Sequence, residues 1–102
     1  MAVEILYHPA VQLETDEIVG YYEAQKKGLG LLFLEVFDLL LQRMQQSPLQ
    51  FPVIRKSIRK ATVRDFPYNV YFRLYKNQIV VLAILHQKRN PKIWKRRKQH
   101  FI

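Results

Sequence analysis

An α+β fold follows from three features of this 102-residue chain. A short alternating segment opens it, two stretches of helical periodicity flank Gly28-Leu29-Gly30, and alternating segments fill the second half. The expected architecture is an N-terminal strand, a two-helix hairpin packed on one face of an antiparallel sheet, and a short basic C-terminal helix or tail. With 49% hydrophobic and 25% charged residues, residues 1–102 read as a single domain around one core.

Val3, Ile5 and Tyr7 alternate with Glu4 and Leu6, as in a short strand that His8-Pro9 ends. Pro9 suits the first turn of a helix running to about Lys26, with Val11, Ile18 and Tyr22 on one stripe. Lys26-Lys27-Gly28-Leu29-Gly30 is the chemistry of a helix end and a tight reversal. A second helix is expected from about Leu31 to Gln46, its buried stripe Phe33, Phe37, Leu40, Leu41 and Met44, ending at Ser47-Pro48. Leu32, Leu34 and Leu39 lie beyond that stripe, so this helix has either a deep core or a partner surface.

Residues 49–57 show no period and read as an irregular connection. Arg59 to Arg64 alternates as a strand wet on one face, and Phe66-Pro67 breaks the chain. Tyr68 to Tyr75 alternates strictly, with Val70, Phe72 and Leu74 on one side and Asn69, Tyr71, Arg73 and Tyr75 on the other. Lys76-Asn77 supplies a hairpin turn in which asparagine tolerates positive φ. Ile79 to Leu85 is apolar throughout, which suits a strand covered on both faces, and Trp94 to Lys98 forms the basic end.

Several chemistries are excluded or disfavoured. The chain has no cysteine, hence no disulfide, thiolate metal site or cysteine nucleophile. His8, His86 and His100 lack metal-ligand spacing, so neither a metal nor another cofactor is expected. The start lacks the pattern of a secretory signal, and Leu29–Leu41 is too short and too interrupted to span a bilayer, so a soluble protein without membrane attachment is expected. Gly28-Leu29-Gly30 reads as a reversal rather than a phosphate loop. Glu14, Asp16 and Glu17 read as acids placed at a helix start, where they favour the helix dipole.

Charge is the strongest functional signal. The formal net charge is +9, yet residues 1–54 hold three basic and seven acidic side chains, against fourteen basic and one acidic in 55–102. Such polarity attracts phosphate backbones or an acidic protein. Tyr71, Arg73 and Tyr75 interleave rings and cations on one strand face, with Arg59, Arg64 and Arg89 at the same end of the molecule. Aromatic platforms stack bases and arginines grip phosphates, although tyrosine and arginine also suit any half-exposed strand. Lys88, Arg89, Lys92, Lys95, Arg96, Arg97 and Lys98 extend the charge, and Trp94 is expected to anchor them on the sheet. With one helical pair covering one sheet face, Tyr71, Arg73 and Arg89 are expected to share an uncovered cationic hollow.

Read in order, Pro9-Ala10, Tyr21-Tyr22, Gly28-Leu29-Gly30 before Phe33, Ser47-Pro48, Phe66-Pro67-Tyr68-Asn69-Val70-Tyr71-Phe72, Ala83 to Pro91 and Trp94 resemble the ParE/RelE toxin superfamily, most closely its plasmid-stabilisation, ParE-like branch. The resemblance implies a helical hairpin on a curved antiparallel sheet. It also implies a cytoplasmic toxin of a type II toxin–antitoxin system, silenced by a cognate antitoxin docking on Leu32, Leu34 and Leu39 and on Tyr71 and Arg73. ParE-like members poison DNA gyrase and need no hydrolytic residues, so on this reading the chain is not an enzyme. RelE-like members cut mRNA on the ribosome, and on that alternative Arg89, Arg73, His86 and Trp94 become the catalytic candidates. The arginine such members carry early in the third strand is Asn69 here, which favours gyrase. A degenerate toxin retaining only antitoxin binding is the third possibility.

Overall fold

A computed structural model describes residues 3–89 and 93–98, with the side chains of Trp94, Lys95 and Lys98 outside that description. In chain order the elements are β1 (Glu4–Tyr7), α1 (Ala10–Gln25), α2 (Leu29–Gln46), β2 (Val53–Arg55), β3 (Ile58–Thr62), β4 (Tyr68–Tyr75), β5 (Gln78–His86) and α3 (Ile93–Lys98), with a 3-10 turn at Pro48–Gln50. The α+β class and the helical hairpin are as expected. The sheet is five-stranded in the order β1-β5-β4-β3-β2. Its meander is antiparallel, whereas β1 joins β5 in parallel: the two helices carry the chain from β1 to β2 at the opposite edge, and the meander brings it back to β1. Among the described residues no helix is long and apolar enough to cross a membrane.

Two local signals fell short. Val53–Arg55 has too few residues to display a period, yet it pairs with β3 as an edge strand. In the β4–β5 turn the left-handed residue is Lys76, at φ 52°, rather than Asn77.

The helical reversal explains both of its glycines. Gly28 sits at φ 90°, where a side chain is strained, and its amide donates to the Glu23 carboxylate at 2.9 Å. The Gly30 amide donates to the same carboxylate at 3.0 Å, so α1 caps the first turn of α2. A Cβ on Gly30 would lie 2.8 Å from the Val19 carbonyl oxygen, so the crossing of the two helices requires glycine there.

The main core lies between the hairpin and one sheet face. Phe33, Phe37, Leu40, Leu41 and Met44 of α2 meet Val70 and Phe72 of β4 and Ile79, Val81 and Ile84 of β5. Each large side chain fully withdrawn from water contributes about 1.5–3 kcal/mol. A second apolar cluster occupies the other sheet face: Ile58, Tyr71, Val80, Leu82, Ala83 and Leu85, with Leu6 and Ile93 of α3 packed against it.

Between Tyr71 and Phe72 the register with β5 slips, Tyr71 facing Ala83 and Phe72 facing Val81. Leu82 is the extra residue of a bulge, and the faces of β5 exchange there. Val80 and Leu82 point to the second face, as does Ala83, and Ile84 returns to the main core.

Candidate binding surfaces

The expected open hollow on the second sheet face is not found. Tyr71 is only 4% exposed and belongs to the second cluster, so it offers no surface to a partner. The reason was visible in β5: a strand apolar at every position needs cover on both sides, and Ile93 of α3 supplies part of it. Asn69 is also buried, accepting a 2.9 Å hydrogen bond from the Thr62 hydroxyl. Arg73 is half-buried, its guanidinium carbon 4.9 Å from the centre of the Tyr75 ring. That pair, with the Lys76 ammonium 5.5 Å from the same ring, is the part of the strand face that reaches water.

The other cations point elsewhere. Arg59 pairs across from Phe72 on the helix side and donates to the Phe51 carbonyl at 2.6 Å. Arg64 is solvent-exposed in the β3–β4 turn beside Asp65. Arg96 is exposed, whereas Arg97 is committed to Glu14 at 2.8 Å and to the Leu82 carbonyl at 3.2 Å. The expectations for the side chains of Trp94 and Lys95 fall outside the described residues.

Arg89 and His86 belong to a cleft of about 240 Å³ along α1, away from Arg73 and Tyr71. Glu14, Glu17, Ile18 and Tyr21 form its α1 wall at i, i+3, i+4 and i+7, and Tyr68, Ile84 and Leu85 come from the sheet. Glu14 and its neighbours are therefore not helix-start acids, since no acid occupies the first turn of α1. Burial, then the neighbouring Tyr68 and Tyr21, pushes the Tyr22 phenol above its ordinary range, and burial, then Tyr21, does the same for Tyr68. The His86 Nδ1 accepts the Lys88 amide at 3.1 Å. Sequence reasoning missed Glu17, Tyr21 and Tyr68 as members of this cleft, although the helical spacing of Glu14, Glu17, Ile18 and Tyr21 was present.

On α2 the surplus leucines divide. Leu32 is 47% and Leu39 60% exposed, whereas Leu34 is half-buried in a groove with Tyr7, Phe37 and Leu41. Leu32, Val36, Leu39 and Arg43 follow one another at i, i+4, i+7 and i+11 and make a second stripe beside the buried one. Val36, Leu39, Leu40 and Arg43 line a groove of about 490 Å³ whose far wall is Thr62, Arg64 and Asp65. An apolar floor flanked by two arginines suits an amphipathic segment carrying acids. Among the described residues no cluster of three or more histidine, aspartate or glutamate side chains is placed to hold a metal ion.

Comparison with known proteins agrees with this layout. Residues 5–91 match the model of a family described as ParE toxin of type II toxin-antitoxin system, parDE. The chain is 28% identical over 92 residues to Toxin ParE2 of Mycobacterium tuberculosis strain H37Rv, covering 89% of this chain and 88% of the relative, and the same holds for Toxin ParE2 of strain CDC 1551 / Oshkosh. Its fold is similar to a solved chain titled "Chromosomal ParDE TA system from P. aeruginosa", at a TM-score of 0.72 and 18% identity, covering 83% of this chain and 96% of that one.

Proposed function

Because this chain belongs to the ParE toxin family of type II toxin–antitoxin systems, we propose that it is a cytoplasmic toxin that poisons DNA gyrase and is silenced by a cognate antitoxin seated on α2. The observation that carries the antitoxin reading is the second stripe of α2. Leu32 and Leu39 face water, and Leu39 lines a groove whose arginines, Arg43 and Arg64, complement an acidic amphipathic segment. The net charge of +9 favours an acidic partner over the whole molecule.

The choice of gyrase over mRNA rests on the fate of the sheet face. Asn69, where the RelE-like branch carries an arginine, is buried and bonded to Thr62. Tyr71 is buried, Arg97 is ion-paired, and Arg73 is stacked on Tyr75 well apart from the Arg89 cleft. A nuclease of this superfamily would need those cations converging on one phosphate. The test assays purified toxin in gyrase supercoiling and DNA-cleavage reactions alongside ribosome-bound mRNA. Inhibition of gyrase with intact mRNA is the expected result. Codon-positioned mRNA cleavage, abolished by Arg89→Ala and with gyrase untouched, would overturn it.

A further inference from the structure

The cleft along α1 takes no part in the antitoxin and gyrase reading. Its buried floor is Ile18, Ile84 and Leu85, and its more exposed positions are Tyr21, Tyr68, His86, Glu17 and Arg89. Glu14, the remaining lining residue, is taken up by Arg97 and by the Ile84 amide at 3.2 Å. One carboxylate and one guanidinium are left, and neither Glu17 nor Arg89 is ion-paired among the described residues. Because the His86 Nδ1 accepts a backbone amide, the proton of the neutral ring sits on Nε2, a donor toward a ligand.

Three ligand chemistries can be weighed against these groups. An acidic peptide side chain would use Arg89, be repelled by Glu17 and leave the rings idle. A basic side chain would use Glu17 and the rings and be repelled by Arg89. A nucleotide uses every group at once: a base stacks on aromatic rings, its N–H donors meet a carboxylate, and its phosphate meets a guanidinium. Guanine suits Glu17 best, because its N1–H and exocyclic N2–H lie side by side and match the two oxygens of one carboxylate. The volume of about 240 Å³ is below that of pockets holding a drug-sized ligand, so the cleft has room for the base while the sugar-phosphate stays outside.

We propose that the α1 cleft of Tyr21, Tyr68, His86, Glu17 and Arg89 binds one unpaired guanine nucleotide, with the base stacked on a tyrosine ring, Glu17 accepting from its N1–H and N2–H, and Arg89 on its phosphate. Watson–Crick pairing occupies the same edge of guanine, so a duplex is not a ligand. The ligand is either a free guanine nucleotide or a guanosine in single-stranded nucleic acid. This site stands apart from the gyrase reading, and its test needs neither gyrase nor ribosome.

The 102-residue chain is titrated with GMP, UMP, guanosine and a single-stranded oligonucleotide containing one guanine, while the backbone amide resonances are followed by NMR. GMP is expected to shift Ile84, Leu85, His86 and Arg89. UMP should bind about tenfold or more weakly, in line with the discrimination a bidentate base contact supplies. Glu17→Gln should erase most of the GMP-over-UMP preference, and Arg89→Ala should weaken GMP while leaving guanosine unchanged. Glu17 and Arg89 are exposed, so both variants keep the fold, and an unchanged spectrum of the remaining amides verifies it. Tighter binding of the oligonucleotide than of GMP assigns the site to a strand, and equal binding assigns it to the free nucleotide. Absence of shifts at millimolar GMP, equal affinity for GMP and UMP, or a preference unchanged in Glu17→Gln overturns the proposal.

Discussion

Arg97 of α3 and Glu14 of α1 meet at 2.8 Å across the end of the sheet, 83 residues apart in sequence. Their side chains are 18% and 15% exposed, so the pair is largely withdrawn from water. It also satisfies the backbone where β1 ends beside β5. His8 donates its amide to the Val81 carbonyl, and beyond it Glu14 accepts from the Ile84 amide while Arg97 donates to the Leu82 carbonyl. The bulge at Leu82 and the clamp on α3 are therefore one feature.

Removing either partner leaves a nearly buried charge and an unsatisfied backbone group. Glu14→Ala and Arg97→Ala are each expected to lower stability by about 2 kcal/mol. Because the two share one network, the double variant should cost clearly less than the sum. Urea unfolding of the wild type, both single variants and the double variant checks this, and strict additivity would refute the coupling.

The two helical glycines Gly20 and Gly30 should respond with opposite sign. A Cβ at Gly20 meets nothing within 4 Å, so Gly20→Ala should stabilise the protein by about 0.5–1 kcal/mol through helix propensity. At Gly30 the same methyl meets the Val19 carbonyl at 2.8 Å, and Gly30→Ala should destabilise by about 1–3 kcal/mol. Thermal unfolding of the two variants under one buffer separates these effects.

Alkali should weaken the fold through the tyrosines. Burial, with the neighbouring phenols, raises Tyr22 and Tyr68 above their ordinary range. Between the unfolded value of about 10 and the higher folded values, the native state holds protons that the unfolded chain has released. Stability is therefore complete below about pH 10 and declines as pH rises through the folded values. Chemical denaturation at pH 8 and pH 11 should show this loss, and Tyr22→Phe should reduce its size.

Most of the fold was legible because long elements state their period. The α2 stripe from Phe33 to Met44 lies buried as read, and β4 runs over Tyr68–Tyr75 as its alternation required. What was missed depends on partners distant in sequence. The parallel docking of β1, the bulge at Leu82 and the Glu14–Arg97 clamp leave no mark in any single window of residues. The second sheet face was misjudged for a different reason. Tyr71 and Arg73 alternate with the core residues and look wet, but their partners on β5, Ala83 and Val80, and the bulged Leu82 are apolar and require cover.

The groove beside Leu39 bears the weight of the functional account, and a direct binding measurement tests it. The protein encoded by the reading frame adjoining the toxin gene is titrated calorimetrically into wild-type toxin, a Leu32→Asp/Leu39→Asp variant and an Arg73→Ala/Tyr75→Ala variant. The leucine variant should bind at least about thirtyfold more weakly, as loss of a hot spot does, and the strand-face variant should bind within about threefold of wild type. Undiminished affinity in the leucine variant, with binding lost in the strand-face variant, would contradict the account and return the antitoxin to the sheet.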